Sequence, residues 1–375
     1  MPATAASQWR TTHRRAATID AVSLPIELPI EPMLAKAVSA IPAADSVEGG
    51  WAYEPKWDGF RCIVIRDGER IALDSRSRKP LTEYFPEVVA AVQQWAPPRC
   101  VLDAEVFVRA GEPGAEHLDW AALSQRIHPA ASRIEKLSTQ TPAELVCFDL
   151  LALDDENFMP RSYAERRASL EQVFVGQESH PAIHLTRNSY SDELAGQWFI
   201  AFEGAGLDGV IAKARHGRYS PGERTMLKIK HKRTAEAVVI GYRKHRSGQG
   251  VGSLLLGMYD EAGNLLPVGG IGAFSNQMRV ALAEQLQQLI IRDDTGQPVL
   301  LDKKPSRYAN LRDDSAIALQ PQVVVEVQFD QLEGLRFRHA ANLLRFRPDR
   351  DPHSCRIEQV ERPAQYDLAD VLAAH

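Results

Sequence analysis

The stretch Glu54-Pro55-Lys56-Trp57-Asp58-Gly59-Phe60-Arg61 puts an amine, two acids, a glycine and an arginine within one short run. Trp51, Tyr53, Trp57 and Phe60 flank the lysine and predict a partly apolar pocket around it. Burial favours the uncharged amine that nucleophilic attack requires. Asp58 and Glu54 are placed to orient that amine or to bind a metal, and Gly59 admits backbone or ligand at close range. An exposed turn with a Lys/Asp pair two residues apart would look the same. The motif alone leaves both readings open, and the downstream spacing has to separate them.

Several later segments carry charge where an ordinary core would not. In Val101–Val108 the alternation of a strand places Asp103 and Glu105 on one face. Two acids there are costly to bury unless they meet a ligand or metal; a solvent-facing edge is the alternative. The turn Ser75-Arg76-Ser77-Arg78-Lys79-Pro80 is either a solvated loop or a phosphate contact. Leu145–Leu151 reads as a buried strand interrupted by one acid, and its Phe148 is either core or a ring on which a purine stacks. In Met226-Leu227-Lys228-Ile229-Lys230 two lysines share one face. Their repulsion calls for an anion between them, unless they guard a sheet edge. Arg336, Arg338 and His339 precede Arg345-Phe346-Arg347-Pro348-Asp349-Arg350, and Arg243-Lys244-His245-Arg246 is a second basic run. Such clusters suit a surface that follows a phosphate backbone.

The elements that must position these residues follow from periodicity. Strands at 60–66 and 70–75, split by Asp67-Gly68, form a hairpin. Helices are expected around 84–95, 118–128, 161–175 and 190–204, then a linker at 231–234. Short strands at 236–243, 252–259, 265–271, 322–330 and 334–347, with a helix at 275–291, suit a small barrel such as the OB-fold. Gly248-Gln249-Gly250-Val251-Gly252 lies between strands and reads as a hairpin rather than a phosphate loop.

Composition sets the outer bounds. The 375 residues, 44% apolar, support two domains: 29–232 and 233–375, the latter with a C-terminal tail. Residues 1–28, with Arg10, Arg14, Arg15 and many alanines, read as a disordered extension. The four cysteines show no CxxC pair, which argues against a disulfide framework or zinc site and for a reducing cytoplasm. No apolar run approaches the ~18 residues that cross a bilayer. A net charge of −5 neither calls for nor excludes a polyanionic partner.

Taken in order, these segments resemble the motif series of the ATP-dependent polynucleotide ligases, within the covalent nucleotidyltransferase superfamily, and in particular the bacterial LigC-type DNA ligases linked to break and excision repair. The resemblance spans about 29–360. It implies an α+β fold, an adenylation domain with antiparallel sheets followed by an OB-fold β-barrel. It also implies that Lys56 attacks the α-phosphate of ATP, with Asp58 and Gly59 on the motif's own positions. Arg61 falls near ribose and phosphate, Glu54 where the backbone meets the adenine edge, and Arg76 at the nucleotide or the nick's 5′-phosphate. Asp103-Ala104-Glu105 is similar to the family's D-G-E strand with its glycine replaced, and Glu105 keeps the implied role at ribose and metal. Phe148 matches the adenine-stacking ring. The segment Asp208–Lys213 resembles a motif that usually opens with Glu-Gly. The shorter Asp208 then takes the metal role, Lys213 joins the nucleotide site, and Glu203-Gly204 stands upstream as a rival. Lys228 and Lys230 match the paired lysines on the α-phosphate. Arg345, Arg347, Asp349 and Arg350 match the barrel motif that engages departing pyrophosphate.

The implied reactants are ATP, Mg²⁺ or Mn²⁺ and nicked duplex DNA, handled by a monomer in the bacterial cytoplasm at the nucleoid, away from membranes. Break-repair or excision-repair proteins would act in trans, since no helicase, polymerase or nuclease segment is fused. The barrel must serve both triphosphate and DNA, so rotation about a hinge near 231–236 is expected. An RNA ligase, or a ligase preferring ribonucleotide-containing nicks, would share every motif. A GTP-dependent capping guanylyltransferase and a non-catalytic nucleic-acid-binding module are the remaining alternatives.

Overall fold

Alternating apolar side chains give the strands of the first half of the chain two distinct faces, and the fold buries both. The computed structural model describes residues 23–176, 179–248, 250–301, 316–330, 332–360 and 365–373. The chain divides into one unit of Met1–Ile229 with Pro363–His375 and another of Lys230–Arg362. The main strands of the first are β1 (Ala35–Val38), β2 (Trp51–Pro55), β3 (Phe60–Asp67), β4 (Arg70–Ser75), β5 (Arg99–Ala110), β6 (Ala143–Leu153), β7 (Gly209–Ala214) and β8 (Met226–Lys230). One sheet runs β1-β8-β7-β2, with β1 parallel to β8 and β7 antiparallel to β2. The other is antiparallel through β4-β3-β5-β6, with short strands at its margins.

On the outer face of the second sheet lies the first helix, α1 (Pro86–Trp95), started by a proline that lacks the N–H a first turn cannot use. Its stripe Val88, Ala91, Val92, Trp95 recurs at helical spacing and packs with Cys62, Val64, Leu102 and Ala104. The inner faces of the two sheets meet through Ile63, Ile65, Val101 and Leu151 from one and Met226 and Ile211 from the other. Helix α2 (Tyr163–Val175) begins with a reciprocal Ser162/Glu165 capping box, and α3 (Asp192–Ala201) with Ser191 accepting from Leu194 N.

The second unit is built on β9 (Arg233–Lys244), β10 (Val251–Tyr259), β11 (Leu265–Ile271), β12 (Ala316–Ala318), β13 (Val324–Phe329) and β14 (Asn342–Phe346), with one α-helix among the described residues, α4 (Asn276–Leu286). Strand β9 pairs with β13 from Arg233↔Phe329 to Val238↔Val324, then passes to β12 at Gly241↔Ala318. This change of partner curls the sheet. Gly241 permits it, because a Cβ there would stand 2.7 Å from the Ile317 carbonyl oxygen. A curled antiparallel sheet with an inserted helix is the OB-type architecture expected, and the glycine-rich segment is a hairpin, with φ of +79° at Gly248 and +72° at Gly250.

Several expectations change. Residues 1–22 of the proposed extension lie outside the described residues. Residues 23–28 are packed, because Leu24, Ile26 and Leu28 contribute apolar surface to the inter-sheet core, and Ser23 N donates to Asp67 at 3.0 Å. The linker shrinks to His231 and Lys232, since Arg233 already belongs to β9. Ala131–Gln140 forms a helix beyond those expected, and 334–347 holds two strands, Arg336–Phe337 and Asn342–Phe346, rather than one. Among the described residues no helix is long and apolar enough to cross a membrane.

The tail also departs from its assignment to the second domain. A short helix, α5 (Leu368–Leu372), docks on the first unit, with Leu368 and Val371 buried among Trp57, Phe107, Trp198 and Phe202. Leu368 N donates to Glu116 O at 2.9 Å, and Arg187 Nε donates to Val371 O at 2.8 Å. So short a helix has no stability of its own and depends on this docking. Leu368→Ala is expected to weaken it by about 2–4 kcal/mol. Hydrogen exchange over 365–373 should accelerate accordingly, while exchange in β3 and β5 stays slow.

Candidate active site

The inner-facing pairs along β3 and β5 run Ile65/Val101, Ile63/Asp103 and Arg61/Glu105. The layer between the sheets is thus apolar at one end and charged at the other. The charged end adjoins the β2–β3 connection that carries Lys56. That connection is clamped to the start of β7: Lys56 N donates to Gly209 O at 2.8 Å, and Asp208 N donates to Lys56 O at 2.9 Å. Lys56 Nζ lies 2.6 Å from Asp208 Oδ2 and 3.4 Å from Trp57 O. Asp208 is therefore the acid at the lysine, whereas Glu203 lies in the preceding 3₁₀ turn Phe202–Ala205.

The apolar pocket expected around Lys56 does not form from its neighbouring rings. Trp51 and Tyr53 turn to the core under the first sheet, Trp57 to the core that receives the tail, and Phe60 to the core under α1. The amine instead meets a carboxylate. Gly59 lies against β5, and its N–H donates to Glu105 Oε1 at 3.0 Å. A Cβ at Gly59 would stand 2.2 Å from Val106 O, so only glycine fits this approach.

Burial raises the Glu105 carboxyl from an ordinary 4.5 to about 7, against the opposing influence of Arg61, Lys56 and the Gly59 N–H; nearby Asp58 adds to the rise. Asp103 is fully buried and is held by Arg61 through Nε at 2.5 Å and by the Tyr219 hydroxyl at 2.5 Å. Its partner Arg61 is kept charged by that pairing, and its guanidinium stacks 4.7 Å from the Phe148 ring centre.

Behind this lies a chain of alternating charge. Arg166 Nε donates to Asp149 at 2.7 Å, Asp149 lies 3.7 Å from Lys213 Nζ, and Lys213 reaches Glu54 at 2.9 Å and Phe148 O at 2.9 Å. The Tyr163 hydroxyl closes it, donating to Glu54 at 2.5 Å. Burial alone would raise the Asp149 carboxyl; Arg166 and Lys213 outweigh it and hold it below its ordinary value. The sequence reading missed Asp149, Tyr163, Arg166 and Tyr219 as site residues. A signal existed for Arg166: with Tyr163, Leu170 and Val173 it falls at helical spacing on the buried side of α2, which also holds Arg167, and a buried arginine demands a partner.

Lys228 and Lys230 alternate with Leu227 and Ile229, which join the core under the first sheet. Both lysines therefore belong to the face shared with Met226. Arg76 is exposed. In the second unit the cationic run is neutralised: Arg345 Nε donates to Glu326 at 2.5 Å, Arg347 contacts Glu236 and Asp349, and Arg350 Nε donates to Glu236 at 2.6 Å. Arg347 pushes the Asp349 carboxyl down to about 2. The run is thus paired with acids, two of which, Glu236 and Glu326, come from other strands.

For a divalent cation the donor set near Lys56 is Glu105 and Asp208, and among the described residues no group of three or more His, Cys, Asp or Glu side chains is arranged around a common point. Two oxygen donors without sulfur or imidazole fit a hard cation whose remaining ligands are water and substrate phosphate. Behind them lies the buried Arg166–Asp149 pair, which is costly to break. Asp149→Leu should destabilise the first unit by about 3–5 kcal/mol, because it strands Arg166 without its anion. The double variant Asp149→Leu/Arg166→Met should recover much of that loss, as read from unfolding midpoints in denaturant.

The family model described as "ATP dependent DNA ligase domain" matches residues 32–230, and "ATP dependent DNA ligase C terminal region" matches 247–350. DNA ligase C of Mycobacterium tuberculosis is 47% identical over 365 residues, covering 94% of this chain and 99% of that protein. The multifunctional non-homologous end joining DNA repair protein LigD of the same species is 30% identical over 306 residues, covering 80% of this chain but 37% of LigD. The solved structure Pmar-Lig_PreS3, 18% identical with a TM-score of 0.57, covers 85% of this chain and 68% of its own, a likeness of fold. With one ligase model over the first unit and the other over most of the second, the chain belongs to the ATP-dependent DNA ligase family.

Proposed function

We propose that the chain seals nicks bearing 5′-phosphate and 3′-hydroxyl ends in duplex DNA, using Lys56 as the carrier of AMP. The juxtaposition that supports this is the Lys56 amine on Asp208, in a loop tied to Glu105 through Gly59. Lys56 Nζ forms a bond to the α-phosphorus of ATP, the α–β anhydride bond breaks, and its electron pair leaves with pyrophosphate. The carboxylate nearest the amine proton is Asp208, at 2.6 Å. An oxygen of the nick's 5′-phosphate then takes the AMP phosphorus from Lys56. Finally the 3′-hydroxyl oxygen bonds to that 5′-phosphate, releasing AMP and the hydroxyl proton. Such transfers depend on positioning and on neutralising phosphate charge.

In this assignment Arg61, Lys228 and Lys230 supply cations for phosphate, Glu54, Lys213 and Phe148 frame the base, Glu105 meets ribose, and Arg76 receives nucleotide or nick phosphate. Glu105 and Asp208 would hold Mg²⁺ or Mn²⁺, which when bound offsets charge on the attacked phosphate. Arg345, Arg347, Asp349 and Arg350 act on the pyrophosphate. The enzyme would work as a monomer on chromosomal DNA in the bacterial cytoplasm, with repair proteins acting in trans.

Incubation with α-labelled ATP and Mg²⁺ or Mn²⁺ tests the first step. Label on wild type that acid removes and alkali leaves, absent from Lys56→Ala, is expected; equal labelling of Lys56→Ala would exclude the assignment. Sealing assays on nicks with DNA or RNA at the 3′ side should favour DNA. A preference for RNA would instead support the ribonucleotide reading.

Glu105 supplies a pH test. The folded protein binds its proton more tightly than the unfolded chain, whose carboxyl titrates at an ordinary 4.5 against about 7 in the fold. Its stabilising contribution is complete below about 4.5 and is lost as pH rises towards 7, by at most about 3 kcal/mol. The melting temperature of wild type minus that of Glu105→Gln should fall between pH 5 and 8. A flat difference would remove the buried-carboxyl account.

A further inference from the structure

We propose that Glu236 and Glu326 are resident anions that compete with polyphosphate for the arginines of the second unit, and so set how strongly the enzyme takes up ATP. This rests on the assignment of Arg345, Arg347 and Arg350 to the pyrophosphate.

The register of β9 on β13 places Glu236 directly opposite Glu326. Like charges facing each other across a strand pair repel, so this pair requires cations. The register of β13 on β14 places Arg345 opposite Glu326, and the two side chains meet at 2.5 Å. Arg347 contacts Glu236 through Nη1 and lies 3.7 Å from Glu326 with the same nitrogen. Its Nε and Nη2 reach Asp349 at 2.9 and 2.8 Å, so all three guanidinium nitrogens are engaged. Arg350 reaches Glu236 at 2.6 Å. Gln359 fixes the position of Glu236, accepting from its N–H at 2.9 Å and donating to its carbonyl at 2.8 Å.

The charges of Arg345, Arg347 and Arg350 are thus matched by Glu236, Glu326 and Asp349, and the cluster presents no net charge to a polyanion. A phosphate that draws Arg347 away from these carboxylates leaves the two glutamates facing each other with less compensation. The acids therefore weaken polyphosphate binding and favour return of the arginines once pyrophosphate departs. Glu236 and Glu326 act through the arginines and are positioning residues.

The test uses the full chain with Glu236→Gln, Glu326→Gln and the double substitution, each checked for an intact melting transition. The ATP concentration giving half-maximal lysyl-AMP formation should fall about three- to tenfold, and inhibition by added pyrophosphate should strengthen by a similar factor. Sealing by protein already carrying AMP needs no polyphosphate, so its rate should not change. Half-saturating ATP that is unchanged or higher in either folded single variant overturns the proposal. The parallel variant Arg347→Ala separates the two levels. If it leaves the ATP dependence as in wild type, the pyrophosphate assignment itself fails. If it impairs ATP use while the glutamine variants do nothing, only the competition between acids and phosphate is wrong.

Discussion

Charge buried between two sheets is the constraint on which the first unit depends. A nucleotide site needs cations and carboxylates out of bulk water, yet each such group is costly there unless it is paired. The chain meets this by alternation: Arg166, Asp149, Lys213 and Glu54 follow one another through ion pairs, with Tyr163 as the terminal donor. Arg61, Asp103 and Tyr219 form a second, shorter set. The apolar part of the same layer, from Ile65 and Val101 inward, fixes the spacing of the sheets against which these pairs are held.

Lys56 depends on that frame more than on its own neighbours. Its backbone is tied to β7 on both sides of the peptide, and the close approach of Gly59 to β5 sets the height of the loop over Glu105. The amine is consequently delivered to a carboxylate rather than to an apolar pocket, and the aromatic residues around it in sequence serve three separate cores. One of those cores, behind Trp57, is completed by Leu368 and Val371 from the far end of the chain.

In the second unit the same economy of charge takes another form. Strand pairing sets two glutamates face to face, and the arginines that a polyphosphate would need are the ones that make this pairing tolerable. On the proposed assignment, folding and ligand binding would draw on one set of guanidinium groups there, and the stability of the β9–β13 pairing would be coupled to their occupancy.

Much of this was legible in the sequence. The hairpin of β3 and β4 is written in alternating residues around Asp67-Gly68, and the lysine motif, the Asp103/Glu105 strand and the paired lysines were each visible as charge at odds with its setting. Local periodicity determines such features, because a strand or helix exposes its faces by spacing alone. The partners were not legible. That Asp208 meets Lys56, that Arg166 answers Asp149, and that Glu236 and Glu326 neutralise the terminal arginines depends on register and on contacts between residues far apart in the chain. Periodicity assigns a residue to a face but does not say which residue lies across from it, and the docking of α5 on the first unit, decided by apolar complementarity at Trp57 and Phe202, was hidden for the same reason.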